Sequence, residues 1–143
     1  MTISLGCDHG GFALKEHIKG YLEGRGHQVT DCGCHSTDSV DYPVYGRAAA
    51  EAVASGACER GIVICTTGIG ISITANKVPG VRAALCSDCF SAQATREHND
   101  ANVLAMGARV LGEGLALKIV DTFLDTQFSN DERHIRRISM IEG

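Results

Sequence analysis

The segment Cys65-Thr66-Thr67-Gly68-Ile69-Gly70-Ile71-Ser72 places a thiol, several hydroxyls and two glycines within eight positions. A sulfur in such a setting can take a proton or act as a nucleophile. Glycines let main-chain N–H groups come close to an anion, which is the build of an oxyanion hole. The same residues also fit a tight turn with a buried cysteine, and the segment alone does not choose between the two. It is no dinucleotide fingerprint, because Ile73 stands where the third glycine would fall.

Three further groups carry chemistry. Asp8-His9-Gly10-Gly11 pairs a carboxylate with an imidazole suited to the protons and hydroxyls of a sugar, although Asp8 also suits a helix N-cap. His98-Asn99-Asp100-Ala101-Asn102 offers an imidazole able to serve as a general acid near neutral pH, or merely to cap a helix end. Arg133 and Arg137 are four residues apart, so a helix puts both on one face, with His134 beside them. Two guanidinium groups so placed can hold a phosphate; the alternative is a solvated tail.

The elements that must position these groups read as alternating strands and helices. Strands are expected at Ile3–Cys7, Gln28–Asp31, Gly61–Cys65, Val81–Cys86 and Val103–Met106. Helices are expected from Phe12 to about Gly24, over Tyr45–Ser55, from about Ile71 to Lys77, over Ser91–His98, along Leu111–Phe123, and at the C-terminus. A loop spans Gly33 to Pro43. This alternation predicts one doubly wound, Rossmann-like α/β domain over residues 1–143, with about five parallel strands, helices on both faces and a C-terminal helix. Ligands of such sheets bind at the carboxyl ends of the strands, where Asp8–Gly11 and Cys65–Gly70 fall. The terminal helix follows the last core element, and is expected to leave its own domain and cross a two-fold interface.

Composition narrows the classes. The chain has 143 residues, 44% hydrophobic and 21% charged, with net charge −4, so a packed core is expected and disorder is not. No basic stripe interleaved with aromatics points to nucleic acid. No segment is long and apolar enough for a membrane, and the N-terminus does not read as a signal peptide, so a cytoplasmic protein is expected. Seven cysteines is an odd number and argues against a disulfide framework. Cys32, Cys34, Cys86 and Cys89 are spaced too widely for an ordinary zinc ribbon, and the thiols are expected to be small core residues.

In this order and spacing the segments resemble the ribose-5-phosphate isomerase type B family, which also includes galactose-6-phosphate and allose-6-phosphate isomerases. The resemblance runs over nearly the whole chain. It is carried by Gly6-Cys7-Asp8-His9-Gly10-Gly11, Asp41-Tyr42-Pro43, Cys65 to Ile73, Ala75-Asn76-Lys77, His98 to Leu104 and Gly107-Ala108-Arg109. It implies a metabolic isomerase of a phosphorylated sugar, most directly ribose 5-phosphate to ribulose 5-phosphate in the pentose phosphate pathway. It implies no metal or organic cofactor. Cys65 would be the base that moves the proton between C1 and C2, with Thr67 assisting at the hydroxyl. The backbone of Thr66, Thr67, Gly68, Ile69 and Gly70 would hold the enediolate oxygens. His98, supported by Asp8, would open the sugar ring, and Tyr42 and Asn99 would contact the substrate. His9, Arg109, Arg133 and Arg137 would hold the phosphate, some from a second subunit of a homodimer or tetramer with shared sites.

The family usually has Gly directly after the catalytic Cys, where this chain has Thr66. That leaves the sugar open among ribose 5-phosphate, allose 6-phosphate, galactose 6-phosphate and a tetrose phosphate. Two other classes compete: a thiol redox domain, which leaves the basic helix without a task, and a non-catalytic phosphometabolite-binding module, which does not need Cys65, Thr67 and His98 together.

Overall fold

The computed structural model describes every residue from Met1 to Gly143. Five strands, β1 (Thr2–Cys7), β2 (Gln28–Asp31), β3 (Arg60–Cys65), β4 (Ala83–Leu85) and β5 (Val103–Gly107), form one parallel sheet in the order β2-β1-β3-β5-β4. Six helices connect and flank them: α1 (Phe12–Gly24), α2 (Tyr42–Ala54), α3 (Ile69–Ala75), α4 (Cys89–Asn99), α5 (Glu113–Asp125) and α6 (Glu132–Glu142). The expected single doubly wound sheet is what forms.

Side-chain alternation along the central strands splits the core in two. Ile3, Leu5, Ile62, Ile64, Leu104 and Met106 meet Leu14 and Ile18 of α1, Ala92 of α4 and Ile119 and Phe123 of α5. Val63, Cys65, Val103 and Ala105 face Ala49, Ala50 and Val53 of α2 and Ile71 and Ala75 of α3. Burial on both faces explains why β3 and β5 read as nearly continuous apolar runs.

Some boundaries differ from expectation for local reasons. Helix α2 starts at Tyr42 rather than Tyr45, because extended Asp41 precedes it and Pro43 fits the first turn. Helix α3 starts at Ile69 rather than Ile71, because Gly68 makes the turn by itself at φ 81°. Strand β4 keeps only three residues at the sheet edge.

Helix α6 does not leave its own chain. Its buried residue, His134, packs its ring 4.6 Å from that of His98 on α4. Near its other end, Glu142 pairs with Arg82 at 2.9 Å. No helix is long and apolar enough to cross a membrane.

Candidate active site

Strand order reverses between β1 and β3, since β2 follows β1 on one side while β3 lies on the other. The loops leaving those two strand ends diverge and leave a cleft between them. A hollow of about 400 Å³ opens there, lined by Asp8, Tyr42, Cys65, Thr66, Thr67, Ile69 and Gly70. The sequence named every one of these residues.

Cys65 is 5% exposed and its Sγ accepts a hydrogen bond from the Gly68 N–H at 3.1 Å. The left-handed backbone of Gly68 turns that N–H back toward the sulfur, and a side chain there would strike Leu85 and the Met106–Gly107 backbone. Thr67 Oγ1 accepts from the Ile69 N–H at 3.2 Å. Gly70 lies in the first turn of α3 and has no carbonyl four residues back within that helix, so its N–H points outward unpaired. The Tyr42 ring lies so close over Gly70 that an added Cβ would sit 2.6 Å from Cζ.

Asp8 is both a cap and a wall of the cleft. Its Oδ1 accepts the Gly11 N–H at 3.1 Å, closing the 3-10 turn His9–Gly11, and it is 6% exposed. His9 Nδ1 accepts the Val40 N–H at 3.1 Å, which ties the 33–41 loop to the cleft. In its neutral form that leaves the ring proton on Nε2, directed away from the loop.

The run Gly107-Ala108-Arg109 supports the cleft from the neighbouring strand end. The Ala108 N–H donates to the Cys65 carbonyl at 2.9 Å and the Arg109 N–H to the Thr66 carbonyl at 3.1 Å. Arg109 contributes this backbone contact, while its side chain is exposed.

The single chain does not bring the remaining candidates to Cys65. His98 and Asn99 are exposed at the end of α4, and Asn99 borders a different hollow with Arg82, Thr95 and Ile141. Arg133 and Arg137 are exposed on α6, outside the cleft lining. His98 therefore meets His134 in this chain, and not Asp8.

Two structural residues escaped the sequence reading. Arg82 clamps the end of α4 through the Asn99 carbonyl (2.9 Å) and the Asp100 carbonyl (2.9 Å). His134 read as part of a basic cluster but is buried. Only long-range packing reveals either role. No group of three His, Cys, Asp or Glu side chains is placed to hold a metal. Cys7, Cys34, Cys58, Cys65 and Cys86 are buried free thiols. Burial and neighbouring Cys34 push the Cys7 thiol up to about 12, and burial with Asp88 pushes Cys86 up to about 11. A larger hollow of about 620 Å³ lies by the start of β3, lined by both acids and bases, and shares no residue with this cleft.

A cleft with a thiol, a carboxylate and a glycine turn at the switch point belongs to a small-molecule enzyme of the doubly wound class. A family profile described as Ribose/Galactose Isomerase matches residues 3–141. Ribose-5-phosphate isomerase B of Clostridium thermocellum superposes with a TM-score of 0.98 at 56% identity, covering 99% of this chain and 95% of that one. Ribose-5-phosphate isomerase B of Escherichia coli is 50% identical over 139 residues, 97% of this chain and 93% of its own. A galactose-6-phosphate isomerase subunit of Clostridium acetobutylicum is 46% identical over 128 residues, 90% of this chain and 74% of its own. The chain belongs to the ribose/galactose isomerase family and is an aldose–ketose isomerase.

Proposed function

We propose that the chain interconverts ribose 5-phosphate and ribulose 5-phosphate through an enediolate, with Cys65 as the base. The observation that carries this is the Cys65 sulfur, set in the cleft with the Gly68 N–H at 3.1 Å and the free Gly70 N–H on the same wall. Similarity to ribose-5-phosphate isomerases at 56% and 50% identity, against 46% for the galactose relative, supports ribose over galactose.

His98 first opens the furanose: the O1 proton leaves, the ring oxygen gains a proton, and an open-chain aldehyde results. The Cys65 thiolate then takes the C2 proton, and the electron pair moves to O1. Main-chain N–H groups of the 66–70 turn face the enediolate oxygens. Thr67 relays the O2 proton to O1, and the Cys65 thiol returns its proton to C1, giving the ketose. Binding energy from the distant phosphate holds the reacting carbons against the sulfur.

The site is completed by a homodimer. His98, Asn99, Arg133 and Arg137 stay outside their own cleft, while apolar Val44, Ile69, Ile73, Leu85 and Phe90 are left exposed. A two-fold partner covers that face and brings its own α4 end and α6 arginines to the cleft. Such closure excludes water from the enediolate.

Coupled turnover with ribose 5-phosphate, allose 6-phosphate and galactose 6-phosphate tests the substrate. Cys65→Ala should lose about 10²-fold or more in kcat with KM little changed, since the sulfur acts on the proton rather than on the anchor. Near-wild-type turnover by the folded variant would rule Cys65 out as the base.

A further inference from the structure

His98 makes no hydrogen bond through either ring nitrogen within its chain, and its ring is exposed at the end of α4. What it does touch is His134: the two centroids are 4.6 Å apart and the planes are tilted by 36°. That distance lies within the range of favourable ring pairs. His134 is 8% exposed and is the one buried residue of α6.

The His134 ring is itself fixed. Its Nδ1 lies 3.1 Å from Ser129 Oγ. That oxygen also accepts the Asp131 N–H at 3.3 Å, so the hydroxyl is held on two sides. Ser129 is tied to α4 in turn, its N–H donating to the Glu97 carbonyl at 3.3 Å. Ser129, His134 and His98 thus form a continuous path from the α5–α6 connection to the α4 end. Arg133 and Arg137 flank His134 on α6, so the same ring sets how the arginines sit relative to His98.

We propose that His134 is a positioning residue, which holds the His98 imidazole in its working orientation and fixes the arginine face of α6 to the ring-opening group. This rests on the reading of His98 as the ring-opening residue. An exposed imidazole held by one tilted ring contact keeps both nitrogens free for substrate, whereas a hydrogen-bonded clamp would occupy one of them. The design gives orientation without spending a proton site.

The test compares ribose 5-phosphate with a tetrose 4-phosphate, which cannot close a furanose ring through its phosphorylated oxygen. His98→Asn serves as the reference and should lose activity on the pentose while keeping most of it on the tetrose. His134→Ala should reproduce that pattern, with kcat on the pentose down about tenfold and the tetrose rate within about twofold of wild type. His134→Phe, which keeps a ring against His98, should recover most of the pentose rate. Ser129→Ala leaves the stack in place and serves as a milder variant, with a smaller loss of the same kind if the larger changes unfold the protein. Equal losses on both substrates, or a Phe variant no better than Ala, would overturn the positioning role while leaving the His98 reading intact. A His98→Asn protein that fails to separate the two substrates would overturn both.

Discussion

The Thr66 hydroxyl occupies the space over Gly10: a Cβ built on Gly10 would sit 2.4 Å from Thr66 Oγ1 and 3.3 Å from Asp8 Oδ1. Gly10 has no positive φ, so its backbone would accept alanine, and the hydroxyl is the obstacle. The hydroxyl and the Asp8 carboxylate therefore face one point on the cleft wall.

Gly10→Ala should cost about 1–3 kcal/mol, as overpacking does, and should lower kcat/KM by displacing Thr66 into the cleft. Thr66→Gly should by itself leave the fold intact and widen the cleft beside Asp8. The double variant Gly10→Ala, Thr66→Gly should recover most of the lost stability. A thermal-unfolding double-mutant cycle checks this, with a coupling of about 0.5–3 kcal/mol expected between the two positions. Additive losses would show that the methyl group meets some other obstacle.

The second prediction concerns Lys15, whose side chain is fully buried and whose Nζ reaches Asp31 Oδ2 at 2.8 Å and Oδ1 at 3.0 Å. Burial would raise the Asp31 carboxyl, but hydrogen bonds from Lys15, the Gly33 N–H and Lys19 outweigh it and hold it below its ordinary 3.8. Burial likewise works against the Lys15 charge, and hydrogen bonds to Asp31 and Glu16 overcome it, so its ammonium is raised above 10.5. A carboxyl depressed in the folded state adds stability that is present above its unfolded value and is lost as pH falls through the folded one. The raised ammonium adds stability that is complete below 10.5 and fades as pH rises through the folded value. Lys15→Met should thus destabilise the protein by about 3 kcal/mol at neutral pH. In denaturant titrations its deficit should shrink below pH 3.8, as Asp31 protonates in wild type too. A deficit independent of pH would assign the effect to packing alone.

The central strands and the chemistry at their ends were legible because both are local. A run such as Ile62–Cys65 is buried on both faces and looks so, and Gly68 makes its turn from its own φ of 81°. Where structure depends on distant partners, the reading stopped short. His134 looks like one more cation until α6 folds onto α4. Asn76 and Asn102 stand in motif segments, yet both hold the edge strand: Asn76 brackets Ala83 at 2.8 and 3.0 Å, and Asn102 binds the Arg82 N–H at 2.8 Å. The docking of α6 also lay beyond the amphipathic pattern, which marks an apolar face without saying which surface covers it. The cleft residues Asp8, Tyr42, Cys65, Thr66, Thr67, Ile69 and Gly70 were all anticipated, whereas His98 and the arginines stand outside that cleft in their own chain.

The proposed sharing of each site between two subunits gives the last prediction. Arg133 and Arg137 are exposed on a helix fixed to its own α4, and neither borders the cleft that contains Cys65 of the same chain. If the partner's cleft receives them, each site draws its sulfur from one subunit and its guanidinium groups from the other. Arg137→Ala should then raise KM for the phosphorylated sugar strongly and leave the slow reaction of the unphosphorylated sugar nearly unchanged, since only the anchor is lost. Mixing Cys65→Ala with Arg137→Ala protein produces heterodimers in which one site combines both defects and the other has neither. With free exchange half the dimers are mixed, so at substrate well below KM the mixture should regain about one quarter of wild-type activity. Differently tagged subunits, captured together after mixing, establish that exchange has occurred. Recovered activity in proportion to captured heterodimer supports the shared site, and exchange without recovery would mean that each chain's arginines serve its own cleft.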